Sequence, residues 1–161
     1  MVELKSVAVK KPEDVNIIIG QAHFIKSVED IYEAVIQTHA QIKFGLAFSE
    51  ASGACLVRIE GNDDELRRVA TDNCLELSCG HIFVLVLRQG YPVNVLNALK
   101  SVPEVCSIYC ATANSVEVIV AQGKTGRGVL GVIDGSGPKG VEKEADVLWR
   151  KDLLRKLGYK L

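Results

Sequence analysis

Residues 126–142, GRGVLGVIDGSGPKGVE, combine six glycines with four charged side chains. Glycine permits positive φ angles and lets the backbone approach a ligand closely, and Arg127 and Lys139 supply cations beside it. Backbone N–H groups from Gly135 to Gly140 would complete a cradle for a phosphate or carboxylate group. The alternative interpretation is a pair of tight turns that joins strands to the last helix.

Two motifs in this region look like nucleotide-binding signatures but lack the required context. Residues 126–131 spell GxGxxG, yet the dinucleotide motif must open a helix, and a β-like run, residues 129–133, follows here. Residues 123–125, GKT, resemble the end of a P-loop, but Val118 stands where the first glycine is required. The sequence therefore contains no familiar phosphate-binding loop.

Two histidines are candidates for chemistry. His23 lies near Lys26 in a loop just before a helix that Ser27 can cap, and helix N-termini favour anions. A neutral imidazole there could act as a base or phosphoryl acceptor, or it could be an ordinary surface residue. His81 follows Gly80 at the start of the most apolar strand, where it either caps the core or points into a site.

Polar residues also follow the predicted strand that contains Phe48. Glu50 and Ser52 lie just past this strand, at a position where α/β proteins commonly bind ligands. Glu50 could accept hydrogen bonds from ribose hydroxyls, and Phe44 or Phe48 could stack on a base, although a polar turn after two core phenylalanines explains the same residues. Arg58 stands on an otherwise apolar strand and therefore needs either a carboxylate partner or an anionic ligand.

The composition predicts one domain, residues 1–161. Net charge is -1, which argues against nucleic acids and membrane surfaces as partners, because both attract clustered positive charge. No apolar run approaches the roughly 20 residues of a membrane span, and the N-terminus lacks a signal peptide, so a cytoplasmic protein is expected. The five cysteines are an odd number and are expected to be core thiols. No metal site is predicted.

Hydrophobic periodicity predicts the element order ββαββαβαβββα. Residues 82–87, IFVLVL, should form a central strand that is covered on both faces. Three runs, residues 105–111, 116–121 and 129–133, are spaced like an antiparallel meander. The last helix should pack with Val147, Leu148, Leu154 and Leu157 on its inner side. Helices interspersed with strands indicate an α/β fold with a mixed sheet between helix layers.

Several segments, in this order, resemble one known family. They resemble the adenosine-specific kinase family of small archaeal and bacterial proteins, and Ser115 is a departure where we expect proline. The similarity covers nearly the whole chain. The matching segments are GQAHFIKSVEDIYEA (20–34), KFGLAFSEASG (43–53), LVRIEGNDDEL (56–66), GHIFVLVL (80–87), YPVNVLNALKSVPEVCSIYCATAN (91–114) and GRGVLGVIDGSGPKGVE (126–142).

The resemblance implies a three-layer αβα domain, assembled as a trimer, that binds adenosine or AMP and carries a phosphorylated histidine. For a phosphotransferase, His23 is the first choice for the phosphoryl acceptor and His81 the second. Glu50 or Asp134 would contact the ribose or act as a base toward its 5′-hydroxyl. The predicted nucleotide-binding residues are Lys26, Phe48, Ser52, Arg58, Asn114, Arg127, Gly135, Lys139, Gly140 and Glu142.

Two other functions remain open from the sequence. The chain could be a non-catalytic AMP-sensing module that acts through its oligomer, or an interaction domain without a small-molecule site. No cofactor is identified: ATP or another phosphate donor is the candidate for a transfer reaction. Asp134, Glu142 and Glu50 could hold Mg²⁺, but no residue spacing demands it. Asn114 is explained first as a turn residue.

Overall fold

The computed structural model describes residues 1–161 and has the predicted element order. Its helices and strands differ from the predicted ones mainly at their ends. The strands are β1 (Glu3–Ala8), β2 (Asn16–Ala22), β3 (Lys43–Ser49), β4 (Val57–Gly61), β5 (Ile82–Arg88), β6 (Val105–Thr112), β7 (Val116–Gln122) and β8 (Arg127–Asp134); the helices are α1 (Ser27–Ile36), α2 (Asp64–Leu77), α3 (Pro92–Lys100) and α4 (Glu144–Lys156).

The α/β class is confirmed, but the single mixed sheet is replaced by two antiparallel sheets. One has five strands in the order β4-β3-β5-β2-β6, and the other has three in the order β1-β7-β8. The helical connection between β2 and β3, and that between β5 and β6, each pass over one neighbouring strand of the sheet. The strand that is passed over runs the other way. Helix alternation therefore does not produce adjacent parallel strands here.

The predicted meander is also divided between the sheets. β7 and β8 do form an antiparallel pair, but β6 pairs with β2 at the edge of the five-stranded sheet. β1, the first strand of the chain, takes the other side of β7. Local strand spacing could not reveal this, because both pairings join segments that are far apart in the sequence.

The five-stranded sheet is covered on both faces, as the apolar sequence of β5 predicts. Phe83, Leu85 and Leu87 face helices α1 and α3. Val84 and Val86 face the other way, toward α2 and the three-stranded sheet. The three layers are thus α1 and α3, the five-stranded sheet, and a mixed layer of α2 with the three-stranded sheet.

Helix α2 packs closely on the sheet because glycine occupies the point of contact. A Cβ atom at Gly45 would lie 2.1 Å from the carbonyl carbon of Leu66. The helix begins with Asp63, whose carboxylate accepts a 3.0 Å hydrogen bond from the Leu66 N–H group. This packing places the C-terminal end of α2 beside the loop that follows β3.

Helix α4 does not cover the sheet as predicted. None of its residues is buried: Val147 and Leu154 are half-buried, and Leu148 and Leu157 are exposed. The prediction of a packed inner face for α4 is therefore wrong. None of the four helices is both long and apolar enough to cross a membrane.

Candidate functional site

A cavity of about 470 Å³ lies at one end of the five-stranded sheet. Antiparallel pairing creates it: Phe48, near the end of β3, pairs with Phe83 near the start of β5 and with Arg58 near the start of β4. The end of β2 lies beside the start of β5 in the same way. Six residues predicted from the sequence therefore line one cavity: His23, Phe48, Glu50, Ser52, Arg58 and His81.

His23 lies in a turn whose backbone is held from two sides. Its N–H group donates to the carbonyl oxygen of Glu104 at 3.0 Å. The hydroxyl of Ser27 donates to the carbonyl oxygens of His23, at 2.5 Å, and of Phe24, at 2.7 Å. Ser27 is thus not the predicted N-cap of α1, since its hydroxyl bonds back to the turn; the N-cap is Lys26, which makes no side-chain capping bond.

His81 links the ends of two strands. Its N–H group donates to Ser49 and its carbonyl oxygen accepts from Ala22, both at 2.9 Å. The backbone is left-handed, with φ of 61°, an unfavourable conformation for a residue other than glycine. The imidazole stacks on Phe48 with ring centroids 5.9 Å apart. Phe48 is only 2% exposed, so it supports His81 and offers little surface to a base.

Glu50 and Arg58 form an ion pair at the cavity wall. The Leu56 N–H group donates to Glu50 at 2.8 Å, and this bond, together with the Arg58 guanidinium, lowers the pKa of Glu50. Arg58 also donates to the Ile25 carbonyl oxygen at 2.8 Å. A carboxylate whose pKa is lowered is a weak base, so Glu50 is better suited to accept hydrogen bonds than to abstract a proton.

Lys26 does not line the cavity. Its ammonium group forms ion pairs with Asp30 and Glu104, which raise its pKa. Glu104 is 4% exposed, and its Oε2 atom has no hydrogen-bond partner. Two carboxylates thus already neutralise the cation that the sequence suggested for anion binding. Nothing in the sequence marks Glu104, which follows Pro103 in a turn.

A second cavity of about 570 Å³ shares Glu50 and Ala51 with the first. Arg127 lines it and holds the β7–β8 hairpin against α2: its guanidinium donates to Gln122 at 2.7 Å and to the Glu76 carbonyl oxygen at 3.1 Å. Cys74 also lines this cavity, and burial raises the pKa of its thiol to about 11. Arg127 therefore lies next to the histidine cavity rather than in it.

The predicted residues Asn114, Asp134 and Gly135 lie at the opposite end of the sheet. Asp134 accepts hydrogen bonds from Thr112 at 2.8 Å and from Asn114 at 3.0 Å, which closes a turn. Thr112 pairs with Ile17 and Val105 with Ala22, five residues apart along β2. At about 3.3 Å per residue this separation is roughly 17 Å. Asp134 is therefore remote from His23 in the same chain.

The remaining predicted cradle residues are exposed and follow β8. Lys139 and Gly140 lie in the loop before α4. Glu142 pairs with Arg150 at 2.8 Å, and this contact lowers its pKa. Within one chain, none of residues 134–142 lines the histidine cavity, whereas Gly126 and Arg127 line the adjoining cavity. No group of three or more His, Cys, Asp or Glu side chains is placed to hold a metal ion.

The fold and the cavity define a small α/β protein with a cavity lined partly by polar side chains at one end of an antiparallel sheet. The chain belongs to the family described as adenosine specific kinase, whose family model matches residues 7–160. This match confirms the resemblance seen in the sequence.

Among solved structures, the chain is similar to the crystal structure of the PH1918 protein from Pyrococcus horikoshii OT3. The TM-score is 0.95 and the sequence identity is 41%, over 100% of this chain and 99% of that chain. No curated protein matches the chain in sequence. The structural similarity thus extends over the entire fold, including the exposed helix α4.

Proposed function

We propose that the chain binds adenosine or AMP in the histidine cavity and acts there as a phosphotransferase. The observation that carries this proposal is the meeting of His23, His81 and the Glu50–Arg58 ion pair around one cavity, in a member of this family. At about 470 Å³, the cavity is within the usual range for small-molecule sites.

The ion pair has hydrogen-bonding capacity for the phosphate and the ribose of AMP. Arg58 uses two of the five N–H groups of its guanidinium, for Ile25 and Glu50, so others can donate to phosphate oxygens. The carboxylate of Glu50 can accept from ribose hydroxyls, and Ser52 offers a hydroxyl at the same wall. The existing hydrogen bonds of Glu50 and Arg58 hold both side chains in place for these ligand contacts.

His23 remains the first choice for the phosphoryl acceptor because it is exposed at the cavity, and His81 is the second. In the first step, an imidazole nitrogen forms a P–N bond as the P–O bond of a donor such as ATP breaks, and the electron pair leaves on the donor oxygen. In the second step, the 5′-hydroxyl oxygen of adenosine attacks phosphorus, the P–N electrons return to the imidazole, and the hydroxyl proton passes to solvent.

The test uses radiolabelled phosphate on the protein and AMP formation from adenosine and ATP on the same sample. We expect wild type to retain label and to form AMP, and the double variant with His23→Ala and His81→Ala to do neither. His39→Ala is the matched control, since this third histidine lies outside the cavity. Label that persists in the double variant would exclude both histidines as the phosphoryl acceptor.

A specific observation also favours the alternative, a non-catalytic AMP-sensing module. Lys26 is neutralised by two carboxylates, and neither Arg127 nor Lys139 lines the cavity, so Arg58 is the one lysine or arginine side chain in its wall. Phosphoryl transfer usually requires more positive charge around the transferred group. Calorimetric binding of AMP with no turnover against any phosphate donor would establish this alternative, and steady AMP formation would rule it out.

We also propose that the chain forms the trimer that the family resemblance implies, and exposed side chains on helix α4 support this self-association. This 13-residue helix has no buried residue and exposes Leu148, Trp149 and Leu153. A helix of this length is marginal without packing, and its exposed apolar side chains support a contact with another copy of the chain. Sedimentation equilibrium should give three times the chain mass; a monomer at micromolar concentration would contradict the proposal.

A further inference from the structure

Phe24 is an apolar ring held in solvent at the edge of the histidine cavity. It follows His23 in the turn after β2, lines the cavity, and is 58% exposed. Its φ angle of 78° is left-handed, which bulky side chains rarely adopt. Neither the exposure of the ring nor the backbone conformation is favourable by itself.

The surrounding structure holds this unfavourable arrangement by hydrogen bonds on each side. The carbonyl oxygen of Phe24 accepts from the N–H group of Ser27 at 3.2 Å and from its hydroxyl at 2.7 Å. Before the ring, the N–H group of His23 donates to Glu104; after it, the carbonyl oxygen of Ile25 accepts from Arg58. The turn is therefore fixed, and residues held in such conformations cluster at ligand sites.

We propose that Phe24 is the stacking platform for the aromatic base of the ligand and thereby a specificity residue of the cavity. Phe48 cannot take this role because it is buried under His81. Phe24 is the exposed aromatic ring of the cavity, and a rigid ring stacks a base with little loss of side-chain freedom. This inference rests on the proposed function, because it assumes that a nucleoside occupies the cavity.

The first experiment compares AMP with ribose 5-phosphate, which is AMP without its base, by calorimetry. Phe24→Leu keeps an apolar side chain in the same backbone conformation but removes the ring. We expect it to weaken AMP binding roughly 10- to 100-fold, the usual effect of losing one base–aromatic stack, and to leave ribose 5-phosphate unaffected. Tyr91→Leu is the matched control, since it removes an exposed aromatic ring that lies outside the histidine cavity and should change AMP affinity little.

The second experiment observes the stack directly. Trp149 is the one tryptophan of the chain and lies on α4, so a Phe24→Trp variant in a Trp149→Phe background carries a single tryptophan in the cavity. Saturating adenosine should quench its fluorescence, whereas ribose 5-phosphate should not.

Three results would overturn the inference while leaving the proposed function intact. They are unchanged AMP affinity in Phe24→Leu, equal weakening of AMP and ribose 5-phosphate, and adenosine binding without quenching of the introduced tryptophan. A change of sedimentation mass in Phe24→Leu with unchanged AMP affinity would assign the ring to contacts between chains instead. Failure of wild type to bind any adenine ligand would overturn the proposed function and this inference together.

Discussion

The hydroxyl of Ser27 should control both the stability of the chain and the geometry of its site. Ser27 is fully buried, and its hydroxyl donates to the carbonyl oxygens of His23 and Phe24. Ser27→Ala removes this donor without removing apolar surface. A lost hydrogen bond from a buried hydroxyl costs about 1–2 kcal/mol, so we expect a corresponding loss in the free energy of unfolding. With a urea slope near 2 kcal/mol/M, the midpoint should fall by roughly 0.5–1 M.

The same substitution should weaken AMP binding about threefold to tenfold. A turn that also samples other conformations holds the cavity in its binding-competent form for only part of the time. Ser101→Ala is the matched control: its hydroxyl also donates to a backbone carbonyl, at 2.9 Å, but it is exposed at the end of α3. The assays are urea unfolding followed by circular dichroism, at one protein concentration, and calorimetry with AMP. Equal effects of Ser27→Ala and Ser101→Ala on the urea midpoint and on AMP affinity would show that the hydroxyl of Ser27 does not hold this turn in place.

Two further predictions concern packing and pH. Gly45→Ala should prevent normal folding or destabilise the chain by more than about 3 kcal/mol in thermal unfolding, because the new Cβ would meet the backbone of α2. Gly126→Ala is the control and should be tolerated in the same assay, because nothing lies within 4 Å of the added Cβ. The lowered pKa of Glu50 means that the carboxylate stabilises the fold above the ordinary glutamate pKa of about 4.5, and that this stabilisation is lost as pH falls through the lowered folded-state pKa. The difference in free energy of unfolding between wild type and Glu50→Gln should therefore be largest at neutral pH and disappear in acid. A difference that stays constant with pH would contradict this prediction.

The candidate site illustrates which residues a sequence can identify. Glu50, Ser52 and Arg58 were found because polar residues near strand ends in an apolar context need an explanation. Phe24 was missed because an aromatic residue in a loop is ordinary until its exposure and φ angle are known. Glu104 was missed because its contact with Lys26 joins residues 78 positions apart.

The sequence by itself determined the element order, the α/β class, the doubly covered central strand β5 and the family, since these depend on local periodicity and on motifs along the chain. Tertiary structure decided the rest. It split the strands into two antiparallel sheets, left α4 uncovered and separated Asp134 from His23. The physical reason is that strand pairing and side-chain contacts join residues distant in the sequence, so patterns along the chain show which residues are special but not which of them meet.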